Sequence, residues 1–361
     1  MMLLEGMFIP VTTPFYADGA CYWRKLEHNV DRYSRTPAAG LVVLGPRTEA
    51  AGLSDEERRE SLRVASGTAA KEKVLIAGAG AESVASAVWI AEQAAEAKFD
   101  AALVPAPVEW QRLVRGGADG AKASLAQVEL FFRAVADRSP LPVVLWSDAR
   151  AGGFEIPVEM VGALAGHPNV IGLMDGGLSV KRLGAVRAAT ADVKREITVT
   201  TVFAAVTGRM LELSREGEAT FVAADALSSG GASVAVAPPK AAIKTRTKTV
   251  GFQVVDAGAA SASVDLLEAG VQGVVPELAA CAPQGCHEVW AAFKDGDPAL
   301  ARLKAERLRE ADAVVSEFEV AGVKYACDLN GYYGGAPRLP RVGLTAEEKA
   351  RVERAFREVR N

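Results

Sequence analysis

Histidine, cysteine and any excess of charge are what this chain of 361 residues is short of. Its three histidines, His28, His167 and His287, stand at no metal-ligand spacing, so no zinc or iron centre is expected. The four cysteines, Cys21, Cys281, Cys286 and Cys327, form no CxxC pair, which points to reduced thiols in a cytoplasmic setting. Formal net charge is −4 and the sequence pI about 5.7, which argues against nucleic acid or an anionic membrane as partner. No apolar run approaches the ~18 residues a membrane span needs. The N-terminal "MMLLEGMFIP" is too short and too acidic for a signal peptide and runs directly into a strand-like segment. No GxGxxG opens a helix after a strand; "GAGAES" has the wrong spacing, which removes the usual mark of a dinucleotide cofactor.

What is present is a rhythm. Half of the residues are hydrophobic and 24% are charged, as in a soluble protein with a sizeable core. Apolar runs alternate with amphipathic ones from end to end. "GMFIPVTTPF" precedes a helix near 22–35, and "GLVVLG" precedes "LSDEERRESLRVA", whose Ser54 and Glu57 read as a capping box. "KVLIAGAG", "DAALVPAP", "PVVLWSD", "NVIGLMD", "GFQVVDAG" and "QGVVPELAACAP" continue the series to eight strands. Strands this apolar are buried on both faces, so the pattern predicts a closed parallel (β/α)8 barrel rather than an open sheet. The barrel is expected over residues 1–283, and 284–361 read as a wholly helical extension. Residues 191–250 break the rhythm before strand seven. A structureless stretch of that length is unusual, so this insert is expected to carry structure of its own, with its basic run "PPKAAIKTRTK" as a solvated face.

Several stretches together resemble the Schiff-base aldolase family of dihydrodipicolinate synthase and N-acetylneuraminate lyase. They are "GMFIPVTTPFYADG", "GLVVLGPRTEAAGLSDEER", "VLIAGAG", "PLPVVLWSDARAGGFEIPVEMVGALAGHPNVIGLMDGG" and "GVKYACDLNGYYGGAPRLP". The last two look most like the 4-hydroxy-2-oxoglutarate aldolase branch. The likeness runs over 4–190 and 251–355 and leaves out the insert. It implies a lysine at the end of strand six that forms an imine with a 2-oxo acid such as pyruvate, a strand-five tyrosine that moves protons, and a small polar pair after strand two that holds the carboxylate. It also implies a second tyrosine given across a dimer interface, and a homodimer or homotetramer. A buried amine with a depressed pKa is nucleophilic at neutral pH, which is why such a site is built in a barrel mouth.

Carried over position by position, the chemistry-bearing residues are replaced. The lysine position falls on Met174, beside Asp175, and the strand-five tyrosine on Trp146. The polar pair falls on Pro46 and Arg47, and the cross-dimer tyrosine pair on Glu109 and Trp110. The arginine after strand five falls on Ala151, with Arg150 one place early. Thr12, Thr13, Gly45, Glu49, Gly172 and Asp175 keep the family's residues. Methionine forms no imine, and tryptophan has no ionisable hydroxyl, so the expectation is a barrel that has lost Schiff-base lyase activity. It would act instead as a non-catalytic ligand-binding or assembly partner, alone or with an active paralogue, and without a cofactor.

Thr12, Thr13, Arg47, Arg150 and Asp175 are the candidate ligand-binding residues, with a small anion such as a 2-oxo acid as ligand. Against that stands the plainer reading that Arg47, Arg150 and Glu109 are ion-paired or solvated residues of loops at the C-terminal face. Asp148 and Asp175 at neighbouring strand ends read more readily as loop caps than as an acid–base pair. Cys281 and Cys286 read as small packing residues. The alternative is an active lyase with a relocated amine. Its candidates are Lys181 and Lys324, expected to face solvent or a helix, and Lys240, Lys244 and Lys248 of the insert, if that segment folds over the barrel mouth.

Overall fold

The computed structural model describes residues 2–115, 118–150, 153–200, 205–216 and 243–359. The first six strands are β1 (Gly6–Val11), β2 (Gly40–Val43), β3 (Val74–Gly78), β4 (Ala101–Pro105), β5 (Val143–Ser147) and β6 (Val170–Asp175). An antiparallel hairpin follows, β7 (Arg195–Thr200) with β8 (Thr245–Val250), and then β9 (Gln253–Asp256) and β10 (Gly273–Val274). β1 to β6, β9 and β10 close into one parallel barrel, in that order around the ring. The eight-strand expectation is thus correct, with β9 and β10 as barrel strands seven and eight.

Helices α1 (Trp23–Ser34), α2 (Asp55–Thr68), α3 (Val84–Glu96), α4 (Val108–Arg115), α5 (Ala118–Arg138), α6 (Val158–Ala165) and α7 (Val180–Ala189) fill the crossovers up to β7. Their starts are written locally. The Ser54 hydroxyl accepts from Glu57 N at 3.2 Å, and Ser54 N donates to the Glu57 carboxylate at 2.9 Å, so the capping box is complete. Ser83 and Ser179 cap α3 and α7 by the hydroxyl alone, accepting from Ser86 N and Arg182 N.

Two large apolar clusters result, besides a small one around Leu3. One lies between barrel and helices; the other fills the barrel, from Met2 and Leu4 at the N-terminal end through Phe8, Ile76, Leu103 and Val144 to Met174 and Val275. A register shift between β5 and β6, at Val143/Val144, inserts one extra residue in β6 near Ile171. The bulge sends Met174 inward, while Leu173 packs with the helices. The pattern of the strand alone gave no sign of it.

The insert carries structure, as expected, and its described part lies away from the barrel mouth. Ile197 and Val199 of β7 pack on Leu3, and Lys248 of β8 pairs with Glu5. Helix α8 (Gly208–Glu216) follows Thr207, whose hydroxyl donates to Lys71 O at 2.5 Å. The Arg209 guanidinium donates to the carbonyls of Ala69 and Lys73. These contacts all lie where the chain enters strands, so the described part of the insert covers the N-terminal end. Lys244 is exposed there, and Lys240 lies outside the described residues.

After β9, a short helix α9 (Ser263–Glu268) precedes β10. Helices α10 (Pro283–Lys294), α11 (Pro298–Leu329) and α12 (Ala346–Ala355) follow the barrel, with a kink in α11 at Glu319. The extension is therefore not wholly helical. Residues 330–345 form an irregular strap in which Tyr333 exchanges two 2.8 Å backbone hydrogen bonds with the Asn29 amide. Its glycines and Pro337 and Pro340 are poor helix formers, which a reading of the flanking periodicity passes over.

Candidate functional site

The C-terminal ends of the strands form the barrel mouth. Met174 is fully buried there, within the apolar barrel interior, and Trp146 packs half-buried above it. A space of about 20 Å³ at the mouth, with Pro10, Val42, Leu103, Trp146 and Val275 in its wall, has room for about one water.

Charged groups close this chamber. Arg47 pairs with Glu277 and lies 3.9 Å from Asp148. Arg150 holds Asp148 with both prongs, at 2.9 and 3.0 Å, and donates to Ala257 O at 3.0 Å. That bidentate fork keeps Arg150 more firmly charged than usual despite its burial. Gly176 makes the pair possible, because a Cβ there would sit 2.5 Å from the Arg150 guanidinium and 2.6 Å from the Asp148 carboxylate. The plainer reading of Arg47 and Arg150 as ion-paired residues is what the geometry gives.

The loop that carries Arg47 is strained. Leu44, Arg47 and Glu49 have φ of 57°, 69° and 65°. Each such residue costs on the order of 1 kcal/mol or more, and persists only where its surroundings hold it. Gly78 lets the loop approach, since a Cβ would lie 1.8 Å from Leu44 O. The far end is pinned by Glu49, which pairs with Lys324 in a site where both side chains are 1% exposed, and accepts from Arg338 N at 2.8 Å. Lys324 also donates to Ala336 O at 3.0 Å and sits 4.3 Å above the Phe15 ring. Burial pushes its pKa down while Glu49 works against that. The expectation that Lys324 faces solvent or merely a helix is therefore wrong. An unpaired Glu49 would not be tolerated in that interior.

Asp175 is engaged within the fold. Fully buried, it accepts from Arg182 Nε at 2.7 Å and from Gly177 N at 2.8 Å, tying β6 to the start of α7. Asp148 is likewise held by Arg150, so the two aspartates do not form a pair. Thr12 and Thr13 are buried but line neither the chamber nor the cavity described next. Glu109 is exposed in the first turn of α4, not on a loop, and Trp110 beside it packs half-buried on the helical core. Lys181 is exposed, and Cys281 and Cys286 are buried packing residues.

Two acidic groups of the mouth escaped the sequence reading. Glu277, after β10, has its pKa raised by burial even beside Arg47 and Arg150. Asp256, at the end of β9, is pushed up to about 7, chiefly by burial, with the Gly258 N–H and Arg150 opposing. Asp256 ends a barrel strand and Glu277 follows one by three residues, and strand ends were the signal available.

Off the axis lies a cavity of about 570 Å³, walled by the segments after β2, β3, β4 and β5. Trp146, Pro46 and Arg47 separate it from the mouth chamber, since all three line both spaces. Arg58 and Arg341 also line it and make no ion pair among the described residues; Arg58 Nε is buried without a hydrogen-bond partner there. Of the acids on its wall, Glu49 is committed to Lys324, and Glu82 to the N–H groups of Val108 and Glu109, which leaves Asp55. Its size is that of a small-molecule pocket. No lysine lines either space among the described residues. No cluster of three or more His, Cys, Asp or Glu able to hold a metal occurs among them, and no helix is long and apolar enough to cross a membrane.

Comparison with known proteins places this architecture. The profile of the dihydrodipicolinate synthetase family matches residues 3–199 and 235–359. The chain belongs to that family. The unmatched part, 200–234, is narrower than the insert expected at 191–250, because β7 and β8 fall within the match. A 4-hydroxy-tetrahydrodipicolinate synthase of Xanthomonas axonopodis is 34% identical over 194 residues, 53% of this chain and 60% of that protein. Another, of Acidiphilium cryptum, is 24% identical over 98% of both chains. A protein of Emericella nidulans named "Probable 4-hydroxy-2-oxoglutarate aldolase, mitochondrial" is 23% identical over 99% of this chain and 95% of its own. Among solved structures, dihydrodipicolinate synthase DapA-2 of Bacillus anthracis superposes with a TM-score of 0.74 at 19% identity, covering all of both chains. YagE of E. coli K12, solved in complex with pyruvate, gives 0.73 at 21% identity over 99% of each.

Proposed function

We propose that this family member has lost Schiff-base lyase chemistry and binds a small organic anion without transforming it, alone or as an assembly partner of an active paralogue. The observation that carries the reading is Met174, buried in apolar packing at the end of β6, with no lysine lining the mouth among the described residues. Trp146 adds to it, since an indole supplies no proton relay of the tyrosine kind. The anion belongs in the off-axis cavity, where Arg58 and Arg341 form no ion pair with any described carboxylate. Two or more copies are expected to associate, as the family resemblance implies, and light scattering on a size-exclusion peak tests this; a monomer alone would refute it.

One observation favours the other reading, an active aldolase on pyruvate-derived 2-oxo acids. Lys324 is a buried amine with a lowered pKa. Its amine is taken up by Glu49 and the Ala336 carbonyl, which is the posture of a structural cation. Borohydride reduction in the presence of pyruvate, and of 4-hydroxy-2-oxoglutarate, decides between them by intact mass and peptide mapping. No adduct is expected, with an active family aldolase labelled in parallel. An adduct on any lysine overturns the proposal and names the amine.

A further inference from the structure

We propose that the barrel mouth is a second, latent anion site held shut by its own carboxylates. Glu277 and Asp148 occupy the guanidinium forks of Arg47 and Arg150 as built-in stand-ins for the carboxylates of a short, doubly charged ligand. The inference rests on the reading of this face as anion-binding, and assigns its regulation.

Three independent features meet here. The first is charge. Two guanidiniums and two carboxylates neutralise one another across the axis, so removing one carboxylate leaves an uncompensated arginine pointing at an apolar chamber. The second is strain. The loop from Leu44 to Glu49 carries three left-handed residues that are not glycine and is held at two points. The Glu49–Lys324 pin is sealed from solvent, at 1% exposure for both side chains, whereas Arg47 and Glu277 are 20% and 21% exposed. A competing anion therefore reaches only the second pin, and freeing it lets the strained segment relax. The third is shape. Arg47, Pro46 and Trp146 are the shared wall of the closed chamber and the open off-axis cavity, so withdrawal of Arg47 joins the two. A ligand entering from the cavity meets Arg47 first and Arg150 beyond it.

Protonation favours the open state. Glu277 is the acid of the solvent-reachable pair, and its partial burial eases proton uptake. The groups that face it are Arg47 on the β2 loop, Arg150 and Asp148 on the β5 loop and Glu319 on α11. Asp256 on β9 acts through Arg150.

The test uses ethane-1,2-disulfonate and succinate as probes, by isothermal titration calorimetry on the full chain. Ethane-1,2-disulfonate keeps its charge from pH 5 to 8, so any pH effect comes from the protein. Glu277→Gln is expected to tighten succinate binding at least tenfold, and adding Arg47→Gln to abolish the gain. Unaltered affinity in a Glu277→Gln variant that keeps its circular dichroism and melting profile overturns the latch. If that variant does not fold, the unaltered protein answers. Disulfonate affinity should rise as pH falls from 8 to 5, and rise still in Asp256→Asn; a flat profile overturns the proposal. The off-axis reading fails separately, through Arg58→Met: loss of binding there with the Glu277→Gln gain intact leaves both sites standing, and no loss removes the off-axis site alone.

Discussion

The two ends of this barrel are closed by opposite means. At the N-terminal end, Met2 and Leu4 plug the bore, Leu3 seats Ile197 and Val199 of the hairpin, and the Gln253 side-chain amide satisfies the plug's backbone at Leu4 N and Met2 O. At the C-terminal end, arginines and carboxylates on strained loops span a chamber the size of one water. An apolar seal has no titrating group and no ion pair for salt to screen. An ionic one depends on pH and salt, and on any anion that competes for its cations. One end is built for permanence, and the other is conditional.

The strongest way to break the comparison is to put a charge into the apolar interior below the mouth. Met174→Lys places an ammonium in the apolar interior, where the neighbouring Asp175 is already paired with Arg182. Buried lysines of this kind show pKa depressions of roughly 3–5 units, so the loss of stability is expected at about 4–7 kcal/mol near pH 6. The folded pKa being depressed, the deficit shrinks as pH rises toward the unfolded value near 10. Urea denaturation at pH 6 and pH 9.5 reads this directly, and an equal deficit at both would show that the amine has found a partner.

Next in size is the sealed pin of the strained loop. Glu49→Gln leaves Lys324 buried with its carbonyl contact to Ala336 but no counter-charge, at an expected cost of about 3–5 kcal/mol. Glu49→Gln combined with Lys324→Met should recover much of it, and a double variant no more stable than the single one would place the damage in the loop rather than in the lone cation. At the other end, Leu4→Ala opens a void in the plug for about 3 kcal/mol. That loss should be the same at pH 5 and pH 8, and at low and high salt. A pH-dependent loss would mean that the N-terminal seal is not the apolar closure it looks.

The fold was legible because its signals are local and repeated: runs of apolar β-branched residues, each followed by a helix whose first residues, such as Ser54 and Glu57, announce the start. The family was legible as well, because the stretches that resemble it recur in order along the chain. What could not be read were the pairings. Nothing in "GVKYAC" says that Lys324 crosses some 275 positions of chain to meet Glu49, because burial of a lysine is decided by the partner and not by its neighbours. Arg182 on Asp175 and Arg47 on Glu277 are of the same kind. The bulge in β6 was invisible too: the stretch from Val170 to Asp175 reads equally well as an even alternation, and only the register with β5 reveals the extra residue. The insert was foreseen as structured but not placed, because an amphipathic hairpin fits either end of a barrel until Leu3 is seen to receive it.

The gentlest test concerns the ionisation of the mouth itself. Asp256 is buried at the end of β9 with its pKa raised to about 7, from an ordinary 3.8. A carboxyl whose folded pKa lies above its unfolded value favours the protonated fold. Its ionised form therefore burdens the protein in full above about pH 7, and the burden fades as pH falls toward 4. A rise of about three units corresponds to at most about 4 kcal/mol. Asp256→Asn keeps an acceptor for the Gly258 N–H, now given at 2.8 Å to Asp256 Oδ1, and deprives Arg150 of a nearby negative charge, which takes back part of the gain. The variant is expected to be more stable than the unaltered protein by about 2 kcal/mol at pH 8, and no more stable at pH 4. The same substitution should leave the effect of Leu4→Ala unchanged, because the two ends share no charged group. A gain that persists undiminished at pH 4 would mean that the asparagine packs better than the acid, and that ionisation of Asp256 has no part in holding the mouth.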